Sequence, residues 1–273
     1  MAEPFSLTQT ILISDPLGYK SATQSPFLAN ASQGRVSKTV LGQWLANDRL
    51  YIHAYIRGVG RLLSFLQLPE VVTPPRDDTA EREHPPNAKL LHWMIDALVN
   101  IRREEDFFVQ TATKYGIDVN LPADADGRVA DDTKLEGLRR FEALFDGISP
   151  SSDNDVILPW LEAAIVFWAT EKCYLDAWSG AAARLSTPSD NKDEDDDADG
   201  GALRREFIPN WSSKEFAQFV DQLGEIIDSA VQREMELRRD ADELVRVQLL
   251  DRALVKWHEV VEAENAFWPA MEA

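Results

Sequence analysis

A single cysteine, Cys173, in 273 residues rules out an intrachain disulfide and makes a reducing compartment the expected setting. No stretch of about 18 apolar residues occurs, so no transmembrane helix is expected. Residues 1–30 show no basic leader followed by a sustained apolar core. A soluble, cytoplasmic protein is the expectation, and the Asn30 and Asn210 glycosylation sequons then read as chance matches. Basic residues are scarce: 28 Lys and Arg against 47 Asp and Glu give a formal charge of −19. Such a surface repels phosphate backbones and anionic bilayers, which argues against nucleic acid or membrane as a partner. Glycine-rich phosphate loops of the GxGxxG or P-loop kind are absent, so nucleotide binding has no motif behind it. Histidine is sparse too. His53, His84, His92 and His258 form no HxxxH pair, and the one Glu-x-x-His, Glu81 to His84, falls in a proline-rich stretch. His258 lies about 240° around its helix from Glu264. Neither a metal nor a cofactor is therefore expected.

What the chain does have is apolar mass: 44% hydrophobic residues, with 8 Trp and 12 Phe, enough to bury a core. Its periodicity is helical, without a convincing alternating run, so the fold class is all-α, a bundle of about seven helices in one domain spanning 1–273. A short helix is expected within "GYKSATQSPFLANASQG", then long helices over 38–67 and 88–115, the latter stopped by Gly116. A shorter helix follows near 131–146, and another runs from about Pro159 to 185. Residues 186–202, which open with "STPSDNKDEDDDADGG", have no apolar run to contribute to a core and read as a disordered acidic loop. Beyond them Ser212 and Glu215 have capping-box spacing, opening one or two helices that carry the chain to Met271.

Three acids stand on apolar helical stripes. Glu171 has Ala164, Phe167, Trp168, Tyr174, Leu175 and Trp178 at its i±3, i±4 and i±7 positions. Asp48 shares a face with Trp44, Leu45, Tyr51, Ile52 and Tyr55, and Glu264 with Trp257, Val260, Val261, Phe267, Trp268 and Met271. Buried carboxylates must be paired, hydrogen-bonded or protonated, so all three should have perturbed pKa values. Acids set among aromatic rings suit a flat, amine-bearing ligand, which stacks on the rings and donates N–H groups to the carboxylates. The same acids could serve as general acid and base. Glu104 and Glu105, beside Arg102 and Arg103, read equally as pocket acids or as charged surface. Cys173 lies about 200° around the helix from Glu171, cannot share its wall, and reads as a packed core residue.

The segments "SPFLANASQGRVSKTVLGQWLANDRLYIHAYIRGVGRLL", "EAAIVFWATEKCYLDAW", "NWSSKEFAQFVDQL" and "EAENAFWPAM" resemble, in order, the signatures of the TenA/thiaminase-II family. The resemblance spans most of residues 20–271 and implies the heme-oxygenase-like α-bundle. The Leu-Pro-Cys nucleophile of the thiaminase branch is missing, and "FWATEK" resembles the branch with a glutamate there, which puts Glu171 in the catalytic role. By the same resemblance Glu264 matches the C-terminal catalytic glutamate, Asp48 holds the pyrimidine ring, and Tyr51 lines or stacks on it. Trp44, Tyr55, Phe167, Trp168, Tyr174 and Trp268 complete an aromatic binding site, and Phe141 stands where a tyrosine is often found on the helix before the central one. The implied activity is metal-free hydrolysis of a C–N bond in an aminomethyl- or formylaminomethyl-pyrimidine, for thiamine salvage. The alternative is a related protein that binds such a small molecule without hydrolysing it. Many members of that family are oligomers, so a homo-oligomer is a further expectation of the resemblance.

Overall fold

The computed structural model describes residues 5–71, 84–153, 155–185 and 197–271. Among them the chain is helical, with a single isolated β-bridge between Ala123 and Val129. Three short helices open it: α1 (Leu7–Leu12), α2 (Pro16–Thr23) and α3 (Pro26–Ser32). The one short helix expected over this stretch is thus divided. Asp15 and Ser25 each cap a new helix with a side-chain oxygen and are each followed by Pro at the first helical position, so the chain restarts where it could have continued.

The long elements are α4 (Lys38–Phe65), α5 (Pro86–Tyr115), α7 (Leu161–Ala182), α9 (Lys214–Leu237) and α10 (Asp242–Asn265), with α6 (Glu136–Asp146) between α5 and α7. Gly116 ends α5 in the left-handed region at φ 67, letting the Ile117 N–H close on the Ala112 carbonyl. α7 occupies the centre, in contact with α2, α3, α9, α10 and α8 (Ile208–Trp211), while α4 packs between α5 and α6. Almost every side chain from Leu161 to Thr170 is buried, which is why that segment reads as apolar all round. A π-helical turn over 203–207 leads into α8.

Two expectations need correction. The N-cap of α9 is Ser213, whose Oγ accepts from the Phe216 N–H at 3.3 Å, while Ser212 donates back to Ile208 O. Residues 197–202, expected as the end of a disordered loop, are ordered. Asp199 is fully buried and accepts from the N–H groups of Gly201 and Leu203. Asp197 pairs with Arg204, and the Ala198 N–H bonds Gly34 O at 2.9 Å. Backbone donors and a guanidinium supply what apolar residues would otherwise provide. Residues 186–196 lie outside the described residues.

Candidate functional site

Five helices, α4, α5, α7, α8 and α9, leave between them a cavity of about 350 Å³. α4 contributes Asp48, Tyr51 and Ile52; α5 contributes Ala97, Ile101, Glu104 and Phe107; α7 contributes Glu171 and Tyr174. Trp211 of α8 and Phe216 and Phe219 of α9 complete the aromatic wall. The mixture of apolar and aromatic lining with a few polar groups is what small-molecule sites commonly show.

Asp48 is 4% exposed, and no hydrogen bond or ion pair engages its carboxyl. Burial pushes its pKa well up, and the neighbouring Glu104 and Glu171 add to the rise. Glu171 is raised to about 7, again by burial first; the Tyr55 hydroxyl opposes the rise and Glu104 reinforces it. Tyr55 itself is buried, and its hydroxyl faces Glu171 without forming a hydrogen bond of ordinary geometry. Glu104 is the one acid of the three that is held: Asn210 Nδ2 donates to one oxygen at 3.0 Å and Trp211 Nε1 donates to the other. Burial raises it too, less strongly because these two donors favour the charged form.

The sequence-based set divides into layers. Asp48, Tyr51, Glu171 and Tyr174 line the cavity. Trp44, Tyr55, Phe141, Phe167 and Trp268 lie behind it as buried supports. Phe141 meets Tyr51 edge-on at 5.0 Å, Phe167 meets Tyr55 at 4.9 Å, and Trp268 stacks on Trp44 at 5.8 Å while donating to Ala22 O. Trp168 instead packs against Trp257 and Gly224 on the face of α7 toward α9 and α10. Glu264 also stands behind the wall rather than on it. Its stripe of Trp257, Val260, Val261 and Phe267 is buried in the core, which takes the carboxyl with it. One of its oxygens has no partner, and burial followed by the nearby Asp48 raises its pKa to about 8.

Glu104, ambiguous in the sequence, is on the cavity wall, and Trp211, Phe107, Phe216 and Phe219 are lining residues that the sequence did not single out. Helical spacing does not single Glu104 out, because Glu105 has Ile101 and Phe108 at spacings of 4 and 3 and is the more buried of the two. Glu105 is instead held by His53 Nε2 at 3.0 Å and by Arg102. Cys173 is fully buried off the cavity, and burial, with Glu264 and Asp176 nearby, pushes its thiol pKa well up. Among the described residues no group of three or more His, Cys, Asp and Glu is arranged to hold a metal ion. None of the helices there is long and apolar enough to cross a membrane.

No family profile matches the chain. It is 25% identical over 282 residues to a "Probable transcription factor" of Fusarium pseudograminearum, covering 94% of this chain and 52% of that one. The chain thus spans about half the length of that relative. To a "Probable bifunctional TENA-E protein" of Glycine max it is 19% identical, over 92% of both. Among solved structures, a TenA family transcription regulator from Silicibacter sp. TM1040 aligns with a TM-score of 0.64 at 12% identity, covering 98% of this chain and 97% of that one. A TenA homologue from Pyrococcus furiosus gives 0.57 at 18% identity, covering 93% and 99%. Nothing in these likenesses separates the glutamate-bearing branch from the rest. The chain shares the all-α fold of the TenA proteins and is similar to them along nearly its whole length.

Proposed function

We propose that the protein is a hydrolase that cleaves a C–N bond of an aminopyrimidine, of the aminomethyl or formylaminomethyl kind produced when thiamine breaks down. The observation that carries this reading is a half-buried carboxyl, Glu171, with a pKa near 7 on the wall of an aromatic cavity that it shares with the unpartnered Asp48. A group that titrates near neutrality can take a proton and give it back at little cost, which is what general acid–base catalysis requires. Asp48 would accept N–H groups from the ring and its amine, while Tyr51, Tyr174 and Trp211 sandwich the ring.

For the aminomethyl substrate, Glu171 takes a proton from water as the water oxygen bonds to the methylene carbon. The C–N bond breaks with its electron pair going to nitrogen, and Glu171 returns the proton to the departing amine. Glu264, which does not line the cavity, is a buried acid behind it whose pKa the ring-binding Asp48 helps to raise, and it takes a supporting place in this reading. No step calls on Cys173.

A second reading, a binding protein without hydrolysis, draws support from the names of two similar proteins, the Fusarium transcription factor and the Silicibacter transcription regulator. Incubation of wild type and Glu171→Gln with thiamine and with both pyrimidines, followed by mass spectrometry, separates the two. Glu171-dependent release of product supports the hydrolase. Tight binding with no release supports the binding protein and removes the hydrolytic reading.

A further inference from the structure

The proposed reaction uses Asp48 and Glu171 but leaves Glu104 idle, although it lines the same cavity from a third helix. A surface carboxylate needs no explanation; this one does. It is fixed by two donors, Trp211 and Asn210, which favour its charged form against the burial that on balance raises its pKa. Around it the balance is one-sided: Asp48, Glu171 and the exposed Glu215 are further acids on the wall, against the single exposed guanidinium of Arg103. Asp48 has no hydrogen-bond partner and Glu171 has only the Tyr55 hydroxyl facing it, and each is destabilised as an anion by Glu104. Asp48, more than nine-tenths buried and unpartnered, is a vacancy for donors on a ligand. The rings of Phe107, Trp211 and Phe216 close the space, an aromatic lining in which a cation finds more attraction than a neutral group.

We propose that Glu104 is a specificity residue, making the cavity select a ligand that carries a protonated amine beside its flat ring over the same ring with a neutral arm. Resting on the hydrolase reading for the identity of the ring, the proposal narrows the substrate to the aminomethyl class and places the formylaminomethyl and hydroxymethyl compounds among weak ligands. The held carboxylate meets the ammonium group, Asp48 meets the ring donors, and the ligand's charge relieves the repulsion among the acids.

Calorimetric titration of wild type and Glu104→Gln with aminomethyl-, formylaminomethyl- and hydroxymethyl-pyrimidine tests this. Wild type should bind the amine at least tenfold more tightly than either neutral-arm compound. Glu104→Gln, whose amide oxygen can still accept from Trp211 or Asn210, should lose most of that preference, the amine losing far more affinity than either neutral-arm compound. Equal affinity of wild type for all three overturns the proposal, with no variant required; so does a uniform loss across the three in the variant. Amine-selective, Glu104-dependent binding without product would sustain the proposal while removing the hydrolase reading, and product formation without charge preference would do the reverse. Failure of all three to bind removes both.

Discussion

Replacing Glu171 by Gln should make the protein less active and more stable at once, and the two effects should have different pH profiles. The carboxyl's pKa rises from 4.5 to about 7 because burial disfavours its charged form. At about 1.36 kcal/mol per tenfold, that shift corresponds to roughly 3 kcal/mol of instability once the group is ionised, an upper figure because the side chain is only half-buried. The native state holds this proton more tightly than the unfolded chain does. Stability attributable to Glu171 is therefore intact below pH 4.5, falls as pH rises toward about 7, and stays low above that. Gln cannot ionise, so Glu171→Gln should match wild type near pH 4 and exceed it by about 1–3 kcal/mol at pH 8, allowing for the retained cost of a buried amide. Turnover should fall by roughly 10² to 10⁴, the usual contribution of a general acid–base group. Urea unfolding at pH 4, 6 and 8, alongside product release, reads both. A variant no more stable than wild type at pH 8 would refute the claim that desolvation sets this pKa, and undiminished turnover would remove Glu171 from the chemistry.

Other substitutions probe the remaining parts. Asp48→Asn should weaken binding of an aminopyrimidine by about 10- to 100-fold, the worth of a charge-assisted hydrogen bond, with the far-ultraviolet circular dichroism unchanged. Cys173→Ala should leave turnover within about twofold, since the thiol is fully buried off the cavity and held protonated; a tenfold loss would restore a role for sulfur. In Gly137→Ala the new Cβ would stand 2.4 Å from the backbone N of Phe267 and 2.5 Å from the Ala263 carbonyl. Because backbone cannot yield as a side chain can, the variant should lose about 1–3 kcal/mol, measured by thermal or urea unfolding.

How far the site could be read in advance depends on the residue. Asp48 and Glu171 were legible because each sits alone among aromatics at helical spacing, and an acid in that position is conspicuous. Glu104 was not, because its neighbours Arg102, Arg103 and Glu105 disguise the stripe as ordinary charged surface. Glu264 was legible as buried, yet its place behind the wall was not, since burial in a core and burial in a cavity give the same pattern. The ordered turn at 197–202 was hidden for a different reason. Its partners, Gly34 and Arg204, satisfy polar groups in a segment whose composition argues against order.

By itself the sequence determined the elements and their inward faces. The 3.6-residue period, the capping serines and Gly116 act within a few residues of one another and need no knowledge of the rest of the chain. Periodicity says which side of a helix turns inward, but not what stands across from it. Tertiary packing alone decided that α4, α5, α7, α8 and α9 leave a gap, that Glu104 joins Asp48 and Glu171 in it, and that Trp168, Glu264 and Cys173 face elsewhere. A cavity is a property of the space between helices, and its lining and the pKa values within it arise only when separate segments are brought together.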